Sequence, residues 1–283
     1  MLKRSSWSVS WQCIATQDHP AFASLETLTA SPMTTVTSDS VSGVSMLSLS
    51  ELYYVKRFSG KSEPLKQLLG MSRFHRETRN LKYFAAKGLS TPTVVAEGEQ
   101  RTAGFLRSGV IVTAGIAHSV TLEELIQSDQ FYLAGQTHAR KLLKRLAKAM
   151  RTLHSDGFFA RDIKTRNILV GSYDTDCTLY FFDCPSGHHP LAILRKRCII
   201  RDLAYLERGL RGNLRRSDVL YLYKQYLGRD RLSTQDKTLA TAVLKYYSNR
   251  RMTKKRRQRA AKRQTQATET GVSTNAESNK HLK

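Results

Sequence analysis

The sequence predicts an α+β fold of two lobes, a small β-rich lobe with one helix followed by a larger helical lobe. From Thr34 onward, Ser and Thr alternate with apolar residues, which is typical of strands. After Thr121 the apolar residues recur instead with helical spacing. A chain of 283 residues can bury one large core or two smaller ones, which fits this division.

Composition divides the chain into four segments. Residues 1–33 are rich in Ser and Thr and poor in charge, so we expect a loosely ordered extension. Residues 34–115 form the predicted N-lobe and residues 116–249 the predicted C-lobe. In residues 250–263, nine of fourteen are Lys or Arg, and we expect the whole segment 250–283 to be a basic, disordered tail.

The net charge of +23 indicates an anionic partner: nucleic acid, anionic lipid, or a phosphorylated or carboxylated substrate. No apolar run approaches the roughly 20 residues of a membrane span. Lys3 and Arg4 are not followed by the apolar stretch of a secretory signal. The 4 cysteines lack metal-site spacing, which predicts free thiols in a reducing compartment.

The N-lobe begins with a predicted strand pair over residues 34–49. Gly43 is its only glycine, so the glycine-rich loop that covers phosphates in kinases is missing or degenerate here. Residues 51–58 predict a further strand that carries Lys56.

A helix is predicted to begin at Ser72 and to end at Lys87–Gly88, a C-cap signal. It carries Glu77, about twenty residues after the strand residue Lys56. This order matches the lysine–glutamate pair that positions the α- and β-phosphates of ATP in kinases. Two unrelated solvated side chains are the alternative, and the downstream motif favours the ion pair.

The connection between the lobes follows a strand over Val110–Thr113 that ends in Ala114–Gly115. Backbone groups at such a connection could meet an adenine ring. Val112 and Ala114 are therefore the candidate nucleotide contacts. Thr121 with Glu124 matches a capping box that opens a short helix.

The C-lobe contains a long predicted helix over Phe131–His154, with Leu142, Leu146 and Met150 on one face. Three further helices are predicted. One begins at Lys196, and the other two span Val219–Tyr226 and Leu239–Tyr247.

The most informative stretch lies between the long helix that ends at His154 and the helix that begins at Lys196. Asp162 is followed by Lys164 and Asn167, then by an apolar strand pattern and Asp183. Phosphoryl transfer needs these residue types: a carboxylate to accept the hydroxyl proton, a lysine to stabilise phosphate charge, and an amide and a second carboxylate for Mg²⁺. The alternative is a surface Asp in a turn and an unrelated Asp at a strand end, which the spacing disfavours.

On these residues the chain resembles the lipopolysaccharide kinase (Kdo/WaaP) family, whose members have a bilobal protein-kinase-like fold. The resemblance spans about residues 50–230. It includes four further short segments, which are Tyr54–Phe58, Arg76–Leu81, Gly88–Pro92 and Arg201–Ala204. Ala160 stands where a loop histidine is usual in the family.

The resemblance implies an enzyme that uses ATP and Mg²⁺ to phosphorylate Kdo or heptose of the lipopolysaccharide inner core. It implies Asp162 as catalytic base with Lys164 as its partner. Asn167 and Asp183 would be metal ligands. Lys56 with Glu77 would bind the ATP phosphates.

The acceptor and the charge together place the expected protein, a monomer, on the cytoplasmic face of the inner membrane. Its partners would be the lipopolysaccharide core or lipid A and the anionic membrane surface. The basic tail would hold it there by electrostatic attraction. Because the tail lacks interleaved aromatic residues, we do not expect nucleic acid as a partner.

Two other interpretations stay open at this stage. A protein Ser/Thr kinase or small-molecule phosphotransferase would share the fold, although nothing after Asp183 resembles an activation segment ending in Ala-Pro-Glu. A non-catalytic pseudokinase that binds an anionic polymer is the rival from a different class.

Overall fold

The computed structural model describes residues 7–13, 20–60, 72–175 and 177–251. The chain separates into a unit of residues 1–231 and a unit of residues 232–283. The second unit contains a helix over residues 234–251, where a helix was predicted. The predicted basic tail lies outside the described residues from position 252 onward. None of the described helices combines the length and apolarity needed to cross a bilayer.

The N-lobe is built on an antiparallel sheet whose six strands lie in the order β1-β5-β6-β4-β3-β2. The strands are β1 (Trp7–Cys13), β2 (Thr34–Ser38), β3 (Ser42–Ser48), β4 (Leu52–Ser59), β5 (Val94–Thr102) and β6 (Phe105–Ala114). Because successive side chains of a strand point to opposite faces, Tyr53 and Val55 enter one core and Lys56 faces the other side. The fold class predicted from the sequence is confirmed by this sheet and by the helical lobe that follows.

A loosely ordered extension was expected over residues 1–33, but the described parts of it, residues 7–13 and 20–33, contain ordered elements. Strand β1 pairs with β5, and Trp11 Nε1 donates a hydrogen bond of 2.9 Å to the Phe22 carbonyl. Helix α1 (Leu25–Ala30) follows, and Leu28 is fully buried with Phe22 in the core of this lobe. Residues 7–13 alternate apolar and polar side chains at every position, so strand alternation could have identified β1.

Helix α2 (Arg73–Ala86) covers the opposite face of the sheet. Phe74 packs against Phe58 with ring centroids 5.9 Å apart. A Cβ at Gly109 would lie 2.6 Å from Phe74, so only glycine permits this close approach. Ser72 caps the helix by accepting from His75 N, which confirms the predicted start.

The C-lobe surrounds a large apolar core. Its helices are α3 (Leu122–Gln127), α4 (Gln130–Leu133), α5 (Gln136–Ser155), α6 (Arg195–Leu210) and α7 (Arg216–Leu227). A sheet of β7 (Ser119–Thr121), β8 (Ile168–Gly171) and β9 (Thr178–Phe181) lies beside them. The single helix predicted over Phe131–His154 is wrong at its start. Gly135, with φ of +89°, separates α4 from α5 because this backbone conformation cannot continue a helix.

Candidate functional site

Lys56 connects the two lobes. Its Nζ lies 2.7 and 2.9 Å from the two carboxylate oxygens of Glu77 on α2. The same Nζ lies 2.5 Å from Oδ1 of Asp183, which follows β9 in the C-lobe. The predicted ion pair between Lys56 and Glu77 is therefore present, and Asp183 converges on it from a distant part of the chain.

The Glu77 side chain is only 4% exposed, which makes its charge sensitive to its partner. Burial raises the pKa of Glu77, while the Lys56 ammonium opposes that rise. Removing the ammonium would therefore leave burial unopposed. A carboxyl group whose pKa is raised by folding stabilises the fold at low pH, and this contribution is lost as the pH rises through the raised pKa.

We expect Lys56→Met to lower the free energy of unfolding by about 3 kcal/mol at neutral to alkaline pH, because breaking a buried ion pair leaves one charge uncompensated. The loss should be smaller at acidic pH, because the raised pKa of Glu77 lets its carboxyl group bind a proton there. Urea unfolding at both pH values measures it. The double variant Lys56→Met/Glu77→Gln is the control and should remove the pH dependence. Equal losses at both pH values in the single variant would contradict this account.

The loop that carries Asp162 is anchored from beneath by Asp202 on α6. Asp202 is fully buried, and its carboxylate accepts hydrogen bonds from Ala160 N at 2.8 Å and Arg161 N at 3.0 Å. Arg161 has a φ of +64°, an unfavourable backbone conformation for a non-glycine residue. Asp202 therefore stabilises a strained loop next to Asp162.

Two side chains surround Asp202. His154 Nε2 lies 3.5 Å from Asp202, its Nδ1 lies 2.8 Å from the Tyr226 hydroxyl, and its ring stacks on Phe159. Arg201 Nε lies 3.6 Å from Asp202. Because Asp202 is fully buried, its contact with Arg201 supports the loop and is not a surface ion pair. The loop has Ala160 where a histidine is usual in the family. His154 places a histidine ring beside Asp202, the residue that anchors this loop.

Asp162 and Lys164 lie together at the open side of the loop. Lys164 Nζ is 2.8 and 2.9 Å from the Asp162 carboxylate oxygens. The Asp162 side chain is 39% exposed, so a hydroxyl group from solvent can reach it. Lys164 Nζ also lies 5.9 Å from the centre of the Tyr205 ring, which limits where the ammonium can move. The carboxylate is thus accessible and held beside a cation.

Asn167 and Asp183 are placed by the β8–β9 ladder. Ile168 pairs with Phe181, so the residues that flank this pair lie at the same end of the two strands. Asn167 Nδ2 donates to the Asp162 carbonyl at 3.3 Å, which leaves its amide oxygen for another partner. An amide oxygen and a carboxylate are ligands that suit Mg²⁺, which takes its other ligands from water or phosphate oxygens. The pair therefore fits a hard divalent cation.

The hairpin of β2 and β3 comes directly before the Lys56 strand β4, where kinases have their phosphate-covering loop. Asp39 Oδ1 accepts hydrogen bonds of 2.7 Å from both Val41 N and Ser42 N, which closes the turn without glycine. These bonds lower the pKa of Asp39. The expected lack of a glycine-rich loop is thus explained, because a side chain already uses two backbone amides of the turn.

Val112 and Ala114 were the predicted nucleotide contacts through their backbone groups, and this contact stays a prediction. Val112 pairs with Val55, so its side chain lies on the face opposite Lys56, and it is fully buried in the core there. Ala114 packs against the same core and its N–H donates to the Thr93 carbonyl at 2.9 Å. The side chains of Val112 and Ala114 therefore lie on the face of the sheet away from Lys56. Thr113, which pairs with Tyr54, shares the face of Lys56, and strand alternation could have identified it.

Comparisons with known proteins agree with this geometry. The model of the lipopolysaccharide kinase (Kdo/WaaP) family matches residues 31–226. Among solved structures, "WaaP in complex with acyl carrier protein" is similar with a TM-score of 0.57 and 20% identity, over 80% of this chain and 90% of that chain. At this identity the likeness shows a shared fold. No curated protein matches the chain.

Proposed function

The chain belongs to the lipopolysaccharide kinase (Kdo/WaaP) family of ATP-dependent phosphotransferases, and on this premise we propose that it phosphorylates a hydroxyl of Kdo or heptose in the lipopolysaccharide inner core. The observation that carries the proposal is the convergence of Lys56, Glu77 and Asp183 from three separate elements. Asp162 lies accessible on the adjacent loop. These are the parts that phosphoryl transfer to an alcohol requires.

The proposed reaction begins with Asp162 as general base. Its carboxylate accepts the proton of the sugar hydroxyl as the hydroxyl oxygen forms a bond to the γ-phosphorus of ATP. The bond between that phosphorus and the β–γ bridging oxygen breaks, and ADP leaves. Lys164, which already lies 2.8 Å from Asp162, stabilises the negative charge on the transferred group.

The nucleotide would be held by groups from both lobes. Lys56, oriented by Glu77, would bind phosphate oxygens of ATP. Asn167 and Asp183 would hold Mg²⁺, which when bound neutralises charge on the phosphates. Lys56 also contacts the Asp183 carboxylate, so the proposed phosphate-binding lysine lies beside the proposed metal ligand.

We further propose that the protein works as a monomer at the cytoplasmic face of the inner membrane, where a lipid-linked acceptor would lie. The net charge of +23 supports attraction to an anionic surface. The core and lipid A portions of the acceptor are themselves polyanionic, which suits a cationic enzyme.

Purified protein incubated with labelled ATP and Mg²⁺ should label a Kdo–lipid A acceptor or a heptose-extended core, and mass spectrometry would locate the phosphate on one sugar. Omitting the divalent cation should abolish labelling. Asp162→Asn is the matched control for transfer by this site. Labelling of a casein-like protein with no labelling of either glycolipid would overturn the proposed acceptor in favour of a protein kinase.

A further inference from the structure

A short segment that follows Asp183 in the sequence exposes three large apolar side chains. Leu191 is 75% exposed, Ile193 87% and Leu194 44%. No other four-residue stretch among the described residues exposes three large apolar side chains. Single exposed apolar residues are ordinary on a protein surface, but a contiguous group marks a contact with another apolar phase.

Basic residues follow the apolar segment directly. Arg195, Lys196 and Arg197 are all exposed at the start of α6. A helix N-terminus does not attract cations, so the dipole of α6 does not account for them. An apolar stretch beside lysine and arginine is typical of surfaces that bind the boundary of an anionic bilayer.

A cationic cleft of about 920 Å³ lies outside the candidate catalytic site. It is lined by five basic side chains, those of Lys87, Lys144, Lys148, Arg151 and Arg229, and by two carboxylates, those of Asp156 and Asp230. The Asp156 carboxylate is already bonded to Lys87 and to the Tyr83 hydroxyl. The cleft therefore keeps an excess of positive charge.

The spread of the cations along α5 favours several anionic groups over a single phosphate. Lys144 and Arg151 are seven positions apart, or about 10 Å along the helix axis. Lys144, Lys148 and Arg151 are exposed. A surface with many laterally mobile head groups can match this spacing, because each head group can move to its own cation.

The apolar segment and the cleft meet at the C-terminal end of α5. His189, two residues before Leu191, has its Nε2 3.5 Å from Asp156 Oδ2 in the cleft wall. The Arg195 guanidinium lies against Gly157, where a Cβ would be only 3.0 Å from Nη2. The two features are thus neighbours on one side of the lobe.

We propose that the apolar segment (Leu191, Ile193 and Leu194) and the cationic cleft form one docking face for a bilayer that carries anionic phospholipid head groups. The apolar side chains enter the boundary between head groups and acyl chains, and the cleft binds head-group phosphates. The inference rests on the proposed function only in assuming that the acceptor is lipid-linked. It assigns membrane contact to the folded C-lobe as well as to the basic tail.

Vesicle flotation of the full chain tests the docking face. The wild type should float with vesicles of phosphatidylcholine plus phosphatidylglycerol and not with phosphatidylcholine alone. The triple variant Leu191→Ser/Ile193→Ser/Leu194→Ser should bind at least about tenfold more weakly, because three apolar side chains no longer partition. The double variant Lys144→Glu/Lys148→Glu should show a similar loss and a weaker dependence on salt.

Matched controls exist for both variants. Leu133, Leu220 and Val36 are exposed to comparable extents, and their combined change to Ser should leave flotation unchanged. Leu133 precedes α5, so it lies near the opposite end of that helix, whose 20 residues span about 30 Å. Arg107→Glu/Arg216→Glu changes the net charge as much as the lysine variant does, and should have little effect.

The outcomes separate this proposal from the proposed function. If flotation depends on both groups of residues while no glycolipid is phosphorylated, the docking face stands and the proposed acceptor fails. If neither variant affects flotation, the basic tail alone holds the protein on the membrane, and the proposed docking face is wrong. If the triple variant changes the oligomeric state and not flotation, the apolar segment serves contact between copies, and the proposal is likewise overturned.

Discussion

Asp162→Asn is expected to lower kcat by about a thousandfold, since general-base catalysis contributes on the order of 10²–10⁴ in rate. The amide has nearly the same shape but cannot accept the hydroxyl proton. KM for ATP should change little, because the ion pairs of Lys56 do not involve Asp162. Steady-state phosphorylation of the glycolipid acceptor, with ATP varied at saturating acceptor, measures both quantities.

Asp174→Asn is the control for this substitution. Asp174 is exposed in the turn between β8 and β9, and its loss should leave kcat unchanged. A protein with Asp162→Asn that keeps more than about a tenth of the wild-type kcat would assign proton acceptance to another group. In that case the accessible carboxylate would serve only to position Lys164, which lies 2.8 Å from it.

Asp202→Ala is expected to act on both stability and catalysis. The change leaves the N–H groups of Ala160 and Arg161 without their acceptor in a buried position. We expect the free energy of unfolding to fall by about 2–4 kcal/mol, since each buried unsatisfied donor costs about 1–3 kcal/mol. We also expect kcat per folded molecule to fall at least about tenfold, because the strained Arg161 precedes Asp162 directly.

Asp218→Ala separates the two effects. Asp218 is equally buried and accepts hydrogen bonds of 3.0 Å from Arg140 and from the Tyr132 hydroxyl, far from the loop in sequence. It should lose comparable stability while kcat per folded molecule stays near that of the wild type. Urea unfolding gives the stability, and active-site titration corrects kcat for the folded fraction. Equal kcat losses in both variants would show that Asp202 has no special role in positioning the loop.

Local spacing predicted the residues whose chemistry is least ambiguous. The spacing predicted that four residues lie close together, which are Asp162, Lys164, Asn167 and Asp183. A loop followed by a short hairpin brings the end of the second strand back beside the loop. The Lys56–Glu77 pair was predictable for a similar reason, since the strand and the helix that packs on it are close in the sequence. The resemblance to a kinase family then supplied roles that spacing alone left open.

Other features could not be predicted because they depend on distant partners or on a single backbone angle. Strand β1 acquires its partner from β5, almost ninety residues later, so its own alternation of apolar and polar residues does not say where it pairs. Gly135 interrupts an otherwise continuous helical pattern through its φ of +89°. The strand that carries Val112 was predicted from its sequence, whereas the face of the strand that is buried depends on how the sheet packs.

The sequence by itself determined the two-lobe order, the strand lysine, the helix glutamate and the carboxylate loop, because each is encoded within a short span of the chain. Only the tertiary structure decided that Asp202 is buried beneath that loop and that Asp183 contacts Lys56. It also decided that Leu191 and Ile193 lie exposed near a cationic cleft. The physical reason is that burial and long-range pairing depend on packing of segments that are remote in the sequence, and local periodicity does not record it.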